Sequence, residues 1–210
     1  MPETSGTIDN PAPTRRSLHA IAEMLISGPQ YRAHGTIRLK PTAAGFAGVA
    51  LPVGIEGAEL VWEGGRAPVD GRTCAELGGL AGIDAGQPED LYADHSGVVP
   101  DESLVVDTET AVRLLAWYRL GDAALRAFAP DQTPVLWPEH FDLGIVVGEV
   151  NYGVSMGDGF VDQPYAYVVP FEARTGEFWN VPFGAARTID QLPSDTAITE
   201  FFAEGREQIG

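Results

Sequence analysis

Strand-like runs in this chain follow one another directly, in two groups, with turn residues rather than helices between them. The first group lies within residues 35–63 and the second within residues 134–183. Parallel strands need a long crossover connection, whereas consecutive strands joined by short turns pair antiparallel. The sequence also lacks a glycine-rich phosphate loop between a strand and a helix, which disfavours dinucleotide-binding and P-loop folds. We therefore expect an α+β fold with mainly antiparallel β-sheet packed with three to four helices.

Apolar residues recur at helical spacing in three other segments. Helices are expected over residues 15–27, with Gly28-Pro29 as the stop signal, over residues 107–129, and over residues 194–209. A short fourth helix is expected after Thr73, because Thr73 and Glu76 form a capping-box pattern. Residues 84–103 are rich in Gly, Pro, Asp and Ser, which indicates a long loop.

The individual strand predictions rest on alternating apolar residues and on turn residues between them. In the first group they cover Ile37 with Leu39, then residues 46–53 and 58–62, with a turn at residues 54–57. In the second group they cover residues 134–147, 150–156, 165–170 and 177–183. The two groups predict either one continuous sheet or two small sheets.

The length of 210 residues fits one domain. Residues 1–14 are rich in Pro, Ser, Thr and Asn and are expected to form a mobile tail. We expect a single α+β domain over residues 15–210, with two sub-sheets at 15–105 and 106–210 as the alternative. No apolar run has the roughly 18 residues of a membrane helix, and the N-terminus lacks the order of a signal peptide, so a cytoplasmic location is expected.

Acidic residues outnumber basic ones by 30 to 13, which gives a net charge of -17. Such a charge repels phosphate backbones and anionic membranes, so we expect no nucleic-acid or membrane partner. Solubility is the simpler explanation of the charge, and attraction of a cationic partner is the alternative. Cys74 is the single cysteine, which excludes an internal disulfide. The sequence leaves open whether the chain is a monomer or a homo-oligomer.

One hairpin carries the most specific prediction. If Gly148-Glu149 is a two-residue turn, the pairing of the flanking strands follows by counting outward. One face then carries the apolar pairs Val147 with Val150, Ile145 with Tyr152, Leu143 with Val154, and Phe141 with Met156. The other face carries the pairs Val146 with Asn151, Gly144 with Gly153, Asp142 with Ser155, and His140 with Gly157.

A glycine pair in the middle of two strands supplies no side-chain packing, so it indicates close approach of a ligand or of another part of the chain. We therefore expect a small polar ligand above Gly144 and Gly153. The further candidate ligand-binding residues are Asn151, Ser155 and Asp158, and His140 with Asp142 are the candidate catalytic pair. In that pair Asp142 would orient His140 as a general base.

Three functions remain open on this basis, besides a solvated polar strand face without a site. The first is ligand binding, the second is an enzyme of hydrolase or isomerase type that uses His140 and Asp142, and the third is a protein-interaction module with aromatic strands around Tyr165, Tyr167 and Trp179. No metal site is expected, because the histidines are scattered along the sequence without a ligand-pair spacing. No cofactor is expected either.

Four segments of the second half carry a shared pattern: Leu-Trp-Pro-Glu-His-Phe-Asp at 136–142, Asn-Tyr-Gly followed by Gly-Asp at 151–158, Pro-Tyr-Ala-Tyr-Val at 164–168, and Phe-Trp-Asn within 177–183. This pattern resembles that of a group of uncharacterised bacterial proteins, mostly actinobacterial. Residues 37–46 resemble the N-terminal strand region of the same proteins, so the resemblance spans about residues 35–209. It implies no particular activity.

Overall fold

The computed structural model describes residues 6–88 and 90–210. Its helices are α1 (Ala12–Ile21), α2 (Gly28–His34), α3 (Cys74–Ala81), α4 (Thr108–Phe128) and α5 (Asp195–Glu207), with a π-helical segment at Ala22–Ser27 between α1 and α2. Its strands are β1 (Leu39–Pro41), β2 (Gly45–Gly48), β3 (Val53–Glu56), β4 (Glu59–Trp62), β5 (Gly65–Pro68), β6 (Val135–Trp137), β7 (Asp142–Val147), β8 (Val150–Ser155), β9 (Tyr165–Pro170) and β10 (Ala185–Thr188).

The strands form one ten-stranded sheet in the order β10-β9-β8-β7-β6-β1-β2-β3-β4-β5, and every pairing is antiparallel. The α+β prediction is confirmed. Each half of the chain contributes five consecutive strands, and the two groups meet where β1 pairs with β6 through Leu39 and Leu136. The alternative of two separate sheets is therefore wrong.

The hairpin of β7 and β8 has the predicted register from Val147 with Val150 to Asp142 with Ser155, and Gly144 lies opposite Gly153. Gly148 and Glu149 form the turn, both with positive φ. The outer pairs, Phe141 with Met156 and His140 with Gly157, are not part of the ladder, because β7 begins only at Asp142.

The first helix differs from its prediction at both ends. The helix begins at Ala12, and Ile8 before it is buried. The prediction of a mobile tail is therefore wrong for Ile8 and for residues 12–14. Residues 1–5 of the predicted tail lie outside the described part of the chain. Gly28-Pro29 does not end the helix but lies at the start of α2, after the π-helical segment. The carbonyl of Met24 there accepts a hydrogen bond from the Gly86 amide at 2.9 Å. A Cβ at Gly28 would overlap Gly86, so glycine allows this close approach.

Four strand predictions need correction. Residues 134–147, predicted as one strand, form β6 and β7 with a turn at residues 138–141 between them. Residues 46–53 form two strands rather than one, and residues 54–56 lie in β3, so the turn before β4 falls at Gly57-Ala58. The alternation of Trp179, Val181 and Phe183 does not produce a strand; the last strand is Ala185–Thr188 instead. Asn180 explains this difference, since its side chain donates to the carbonyl of Ala186 and accepts from the amide of Ala186, folding the segment back beside β10.

The central helix α4 packs against β7 and β8 and against α5, so one face of the second half of the sheet is covered by helices. Helix α4 is continuous through Gly121. A Cβ at Gly121 would lie 2.9 Å from Cγ1 of Val154, so glycine lets the helix approach the sheet. The Thr73–Glu76 capping box is present. No helix in residues 6–88 or 90–210 is long and apolar enough to cross a bilayer.

Candidate functional site

The face of β7, β8 and β9 that α4 and α5 do not cover forms the base of a cleft of about 1080 Å³, which we call the hairpin cleft. Helix α1 supplies one wall through Arg15, Arg16 and His19. The loop before α4 supplies a second wall with Asp94, His95 and Ser96, and the β6–β7 turn supplies a third with Glu139 and His140. Six of the seven candidate residues from the sequence line the cleft: Asn151, Ser155, Asp158, His140, Asp142 and Gly144. The seventh, Gly153, lies on β8 but does not line the cleft.

The glycine pair is not a bare surface. Tyr167 on β9 pairs with Gly153, and its ring lies over both glycines. A Cβ at Gly153 would overlap the Tyr167 hydroxyl, and one at Gly144 would lie 2.9 Å from it. The close approach that the sequence indicated is therefore made by an aromatic side chain of the next strand, and a ligand would contact this ring rather than the glycines.

Asp142 lies at the base of the cleft, and the Tyr167 hydroxyl donates a hydrogen bond to its Oδ2. Burial raises the pKa of the Asp142 carboxyl above its ordinary value, while the hydrogen bond from Tyr167 and the nearby His140 act in the opposite direction. Burial and the Asp142 carboxylate also raise the pKa of Tyr167. Tyr167 therefore stays protonated and remains a donor, and Asp142 is more basic than an exposed aspartate.

His140 does not hydrogen-bond to Asp142, so the predicted orientation of His140 by Asp142 is wrong. The imidazole is 61% exposed, with Nδ1 3.3 Å from Oδ2 of Asp94 and Nε2 3.5 Å from Oε1 of Glu139. The cause is the positive φ of Phe141, which ends the strand geometry and places His140 on a turn at the rim. An exposed imidazole between two carboxylates can take part in binding at the rim.

The remaining candidates differ in how available they are to a ligand. Asn151 is half-buried on the cleft side of β8. Ser155 is buried, and its Oγ accepts a hydrogen bond from the Gly157 amide at 3.1 Å. Asp158 accepts from the Tyr165 hydroxyl at 2.6 Å and from the amides of Phe160 and Val161. Asp158 therefore organises its own turn.

Sequence reasoning missed the most buried charged group of the site. Glu23, on the π-helical segment, is fully buried, and its Oε1 accepts a hydrogen bond from Nδ1 of His95 at 2.9 Å. Its Oε2 accepts from the Ser96 amide at 3.0 Å. Nε2 of His19 lies 3.8 Å from Oε1 of Glu23 and donates to the carbonyl of Pro138 at 2.6 Å. Glu23 therefore ties two histidines and a loop together behind the cleft.

A signal for Glu23 was present in the sequence. It is the single charged residue in Ala-Ile-Ala-Glu-Met-Leu-Ile at 20–26, a run that is apolar on all sides of a helix and so is expected to be buried. The partner residues lie more than 70 positions away, in the loop at residues 84–103. π-Helical segments occur often at functional sites, because the wider turn displaces side chains from ordinary helical positions.

The pairing with Glu23 fixes the tautomer of His95. With Nδ1–H directed at the carboxylate, Nε2 is the unprotonated nitrogen of the neutral ring, and His95 lines the cleft with 24% of its side chain exposed. A buried carboxylate that holds the Nδ1–H of a histidine in this way orients general bases in many enzymes. The arrangement can therefore accept a proton from a molecule in the cleft.

The two arginines of the cleft wall are already engaged. Arg15 donates to Oδ1 of Asp162 at 3.3 Å and to the carbonyl of the same residue at 2.9 Å. Arg16 forms an ion pair with Glu102 and donates to the carbonyls of Ser96 and Gly97. No group of three or more His, Cys, Asp or Glu side chains among the described residues is arranged to hold a metal ion.

Comparisons with protein-family models, with curated proteins and with solved structures give no match to this chain. The resemblance to uncharacterised bacterial proteins stays a prediction. Any functional conclusion therefore depends on the chemistry of the hairpin cleft itself.

Proposed function

We propose that this protein binds a small polar molecule in the hairpin cleft. The observation that carries the proposal is the convergence of polar side chains from α1, the loop at residues 94–96, the β6–β7 turn and the β7–β8 hairpin on one cavity of about 1080 Å³. Binding pockets combine apolar lining with a few converging polar groups and a buried group of perturbed pKa, and Asp142 is such a group. We place this binding function in the cytoplasm.

Blocking the cleft tests the proposal. Val146 is on β7, lines the cleft and is 50% exposed, so Val146→Trp fills space without displacing core residues. Val61→Trp is the matched control, because Val61 is a half-buried strand residue on β4, remote from the cleft lining. A library of amines, sugars, carboxylic acids and nucleosides is screened by ligand-observed NMR. We expect bound compounds that Val146→Trp releases and Val61→Trp retains; binding unaffected by Val146→Trp, or no binding at all, contradicts the proposal.

Acid–base catalysis is a second candidate, favoured by the hydrogen bond between Glu23 and His95. In this candidate the general base is His95, whereas the sequence analysis predicted His140. Each compound bound in the screen is incubated with the protein and followed for conversion by NMR. Under this candidate His95→Ala abolishes conversion with the Kd nearly unchanged, while His140→Ala retains conversion. If no bound compound is converted, the protein is a binding protein only.

The interaction-module interpretation receives less support from the geometry. Tyr165 and Tyr167 are buried within the monomer, where they pack with Ala186 and Phe183, and Trp179 is half-buried beside Phe178. These rings therefore fill space within one chain and do not form the exposed apolar patch on which that interpretation depends.

A further inference from the structure

We propose that the molecule bound in the hairpin cleft is an organic cation, an ammonium or guanidinium compound. The inference rests on the proposed binding function and adds the chemical class of the ligand. Three observations carry it: a recessed carboxylate without a cationic partner, arginines that are already saturated, and aromatic rings in the lining.

The first observation concerns Asp142. Its side chain is largely buried, and within residues 6–88 and 90–210 neither an arginine nor a lysine lies within ion-pair distance of it. The Tyr167 hydroxyl supplies one hydrogen bond but no positive charge. Burying a carboxylate without a counter-charge is unfavourable, and a bound cation would provide that charge. Asp142 therefore favours a cationic group at the base of the cleft.

The second observation is the charge balance of the walls. Four carboxylates line the cleft, those of Asp94, Glu139, Asp142 and Asp158, against two guanidinium groups, those of Arg15 and Arg16. The lining also holds three imidazoles, His19, His95 and His140, and His140 lies between Asp94 and Glu139. Both arginines direct their donors at carboxylates and carbonyls of the protein, so they are not available to an anionic ligand. The net charge of -17 adds a long-range field that attracts cations and repels anions.

The third observation concerns the aromatic side chains in the cleft lining. Two half-buried rings, Trp137 and Phe183, contribute to the lining. Phe141 and Tyr167 lie deeper, and one face of Phe141 is stacked on the ring of His19. Aromatic faces bind ammonium and guanidinium groups through the ring quadrupole. The chain already contains such contacts: Arg206 lies over the ring of Phe128 at 3.8 Å, and Arg38 lies over Trp137, a ring of the cleft lining, at 5.7 Å. Carboxylates next to aromatic rings favour an alkylammonium over a hydrated metal ion, in agreement with the lack of a metal-ligand cluster among the described residues.

The test compares molecules that differ in charge alone. Choline and its neutral carbon isostere 3,3-dimethyl-1-butanol have nearly the same shape, and agmatine and spermidine extend the series to guanidinium and polyamine compounds. Binding to the full chain is measured by isothermal titration calorimetry in about 150 mM salt, which screens unspecific surface attraction. We expect at least one cation to bind and the neutral isostere to bind at least tenfold more weakly.

Two variants locate the binding. Asp142→Asn is expected to weaken cation binding at least tenfold, whereas Asp101→Asn, at an exposed position outside the cleft lining, leaves the Kd unchanged. If Asp142→Asn does not fold, the double variant Asp94→Asn with Glu139→Gln replaces it, since both side chains are at the rim. Equal loss in the control variant would mean that net charge alone attracts the cations, which overturns the inference.

The remaining outcomes separate this inference from the proposed function. If neutral or anionic compounds bind and Val146→Trp releases them while no cation binds, the cleft is a binding site and the cation inference is wrong. If no compound of any charge binds, both are wrong. Cation binding that Val146→Trp does not affect also overturns the inference, because the cations would then bind outside the cleft.

Discussion

The hydroxyl of Tyr167 donates a hydrogen bond to Oδ2 of Asp142, and the tyrosine ring lies over Gly153 on the strand between them. This contact accounts for the glycine pair in the middle of the β7–β8 hairpin. A side chain at either glycine would push the ring away and release the hydrogen bond. Glycine at these positions therefore keeps Asp142 hydrogen-bonded at the base of the cleft.

Gly153→Ala is expected to destabilise the protein by roughly 1–3 kcal/mol, the usual range for overpacking a buried position. The new Cβ would overlap the Tyr167 hydroxyl and lie 2.6 Å from the carbonyl oxygen of Leu143, which is backbone and cannot move independently. Gly159→Ala is the control, because a Cβ there has no neighbour within 4 Å among the described residues. Urea unfolding measures both, and equal free energies of unfolding would contradict the packing argument.

Glu149→Asn is expected to stabilise the protein by about 0.5–1 kcal/mol, part of the cost of holding a non-glycine residue in the left-handed region. Glu149 has a φ of 63°, in the left-handed region that asparagine adopts more readily than glutamate. The Gly148-Glu149 turn needs a positive φ at both positions, as in type I′ turns. The measurement is the free energy of unfolding in urea, and Glu172→Asn, at an exposed position after β9, is the comparison. A loss of stability in Glu149→Asn alone would show that the backbone strain is not the dominant effect.

The hairpin was predictable because its register follows from one local feature, the two-residue turn at Gly148-Glu149, and from alternation with a period of two. The walls of the cleft could not be predicted from the sequence. Glu23 and His95 are 72 positions apart, and nothing local in the loop at residues 84–103 indicates which helix it packs against. The run at Trp179, Val181 and Phe183 shows the same limit, since a side-chain contact from Asn180 overrides an alternating pattern.

Asp142→Asn is expected to raise the stability of the protein on the order of 1 kcal/mol near neutral pH. Asparagine still accepts the Tyr167 hydrogen bond but carries no charge to be buried. The pKa of Asp142 is raised in the folded state by burial, so the stability of the natural protein falls as the pH rises from the ordinary carboxyl value of 3.8 through that raised pKa. Unfolding measured across this range should show the fall in the natural protein and a smaller one in the variant. A less stable variant at every pH would refute this account.

The lowered pKa of His19 predicts that stability falls as the pH decreases, opposite to the effect of Asp142. Burial lowers the pKa of His19, against the opposing effect of Glu23, from the ordinary value of 6.5. The folded state therefore binds fewer protons than the unfolded state below that value, and stability falls as the pH decreases from about 6.5 towards the lowered pKa. His19→Gln, which can still donate to the Pro138 carbonyl, removes this contribution. The slope of unfolding free energy against pH between 7 and 5 should then be shallower by up to about 1.4 kcal/mol per pH unit, and an unchanged slope would exclude His19 as the cause.

Glu23→Ala is expected to destabilise the protein by roughly 1–3 kcal/mol, the usual cost of leaving buried hydrogen-bond donors without their acceptor. The variant leaves Nδ1 of His95 and the amide of Ser96 without their acceptor. Glu102→Ala is the matched control, because the Glu102 carboxylate pairs with Arg16 beside the same loop but is only partly buried, so its loss destabilises the protein much less. Hydrogen exchange gives a local readout: the Ser96 amide should exchange much faster in Glu23→Ala than in Glu102→Ala when both are compared at equal global stability. Equal protection of that amide in the two variants would mean that Glu23 does not hold the loop that forms the second wall of the cleft.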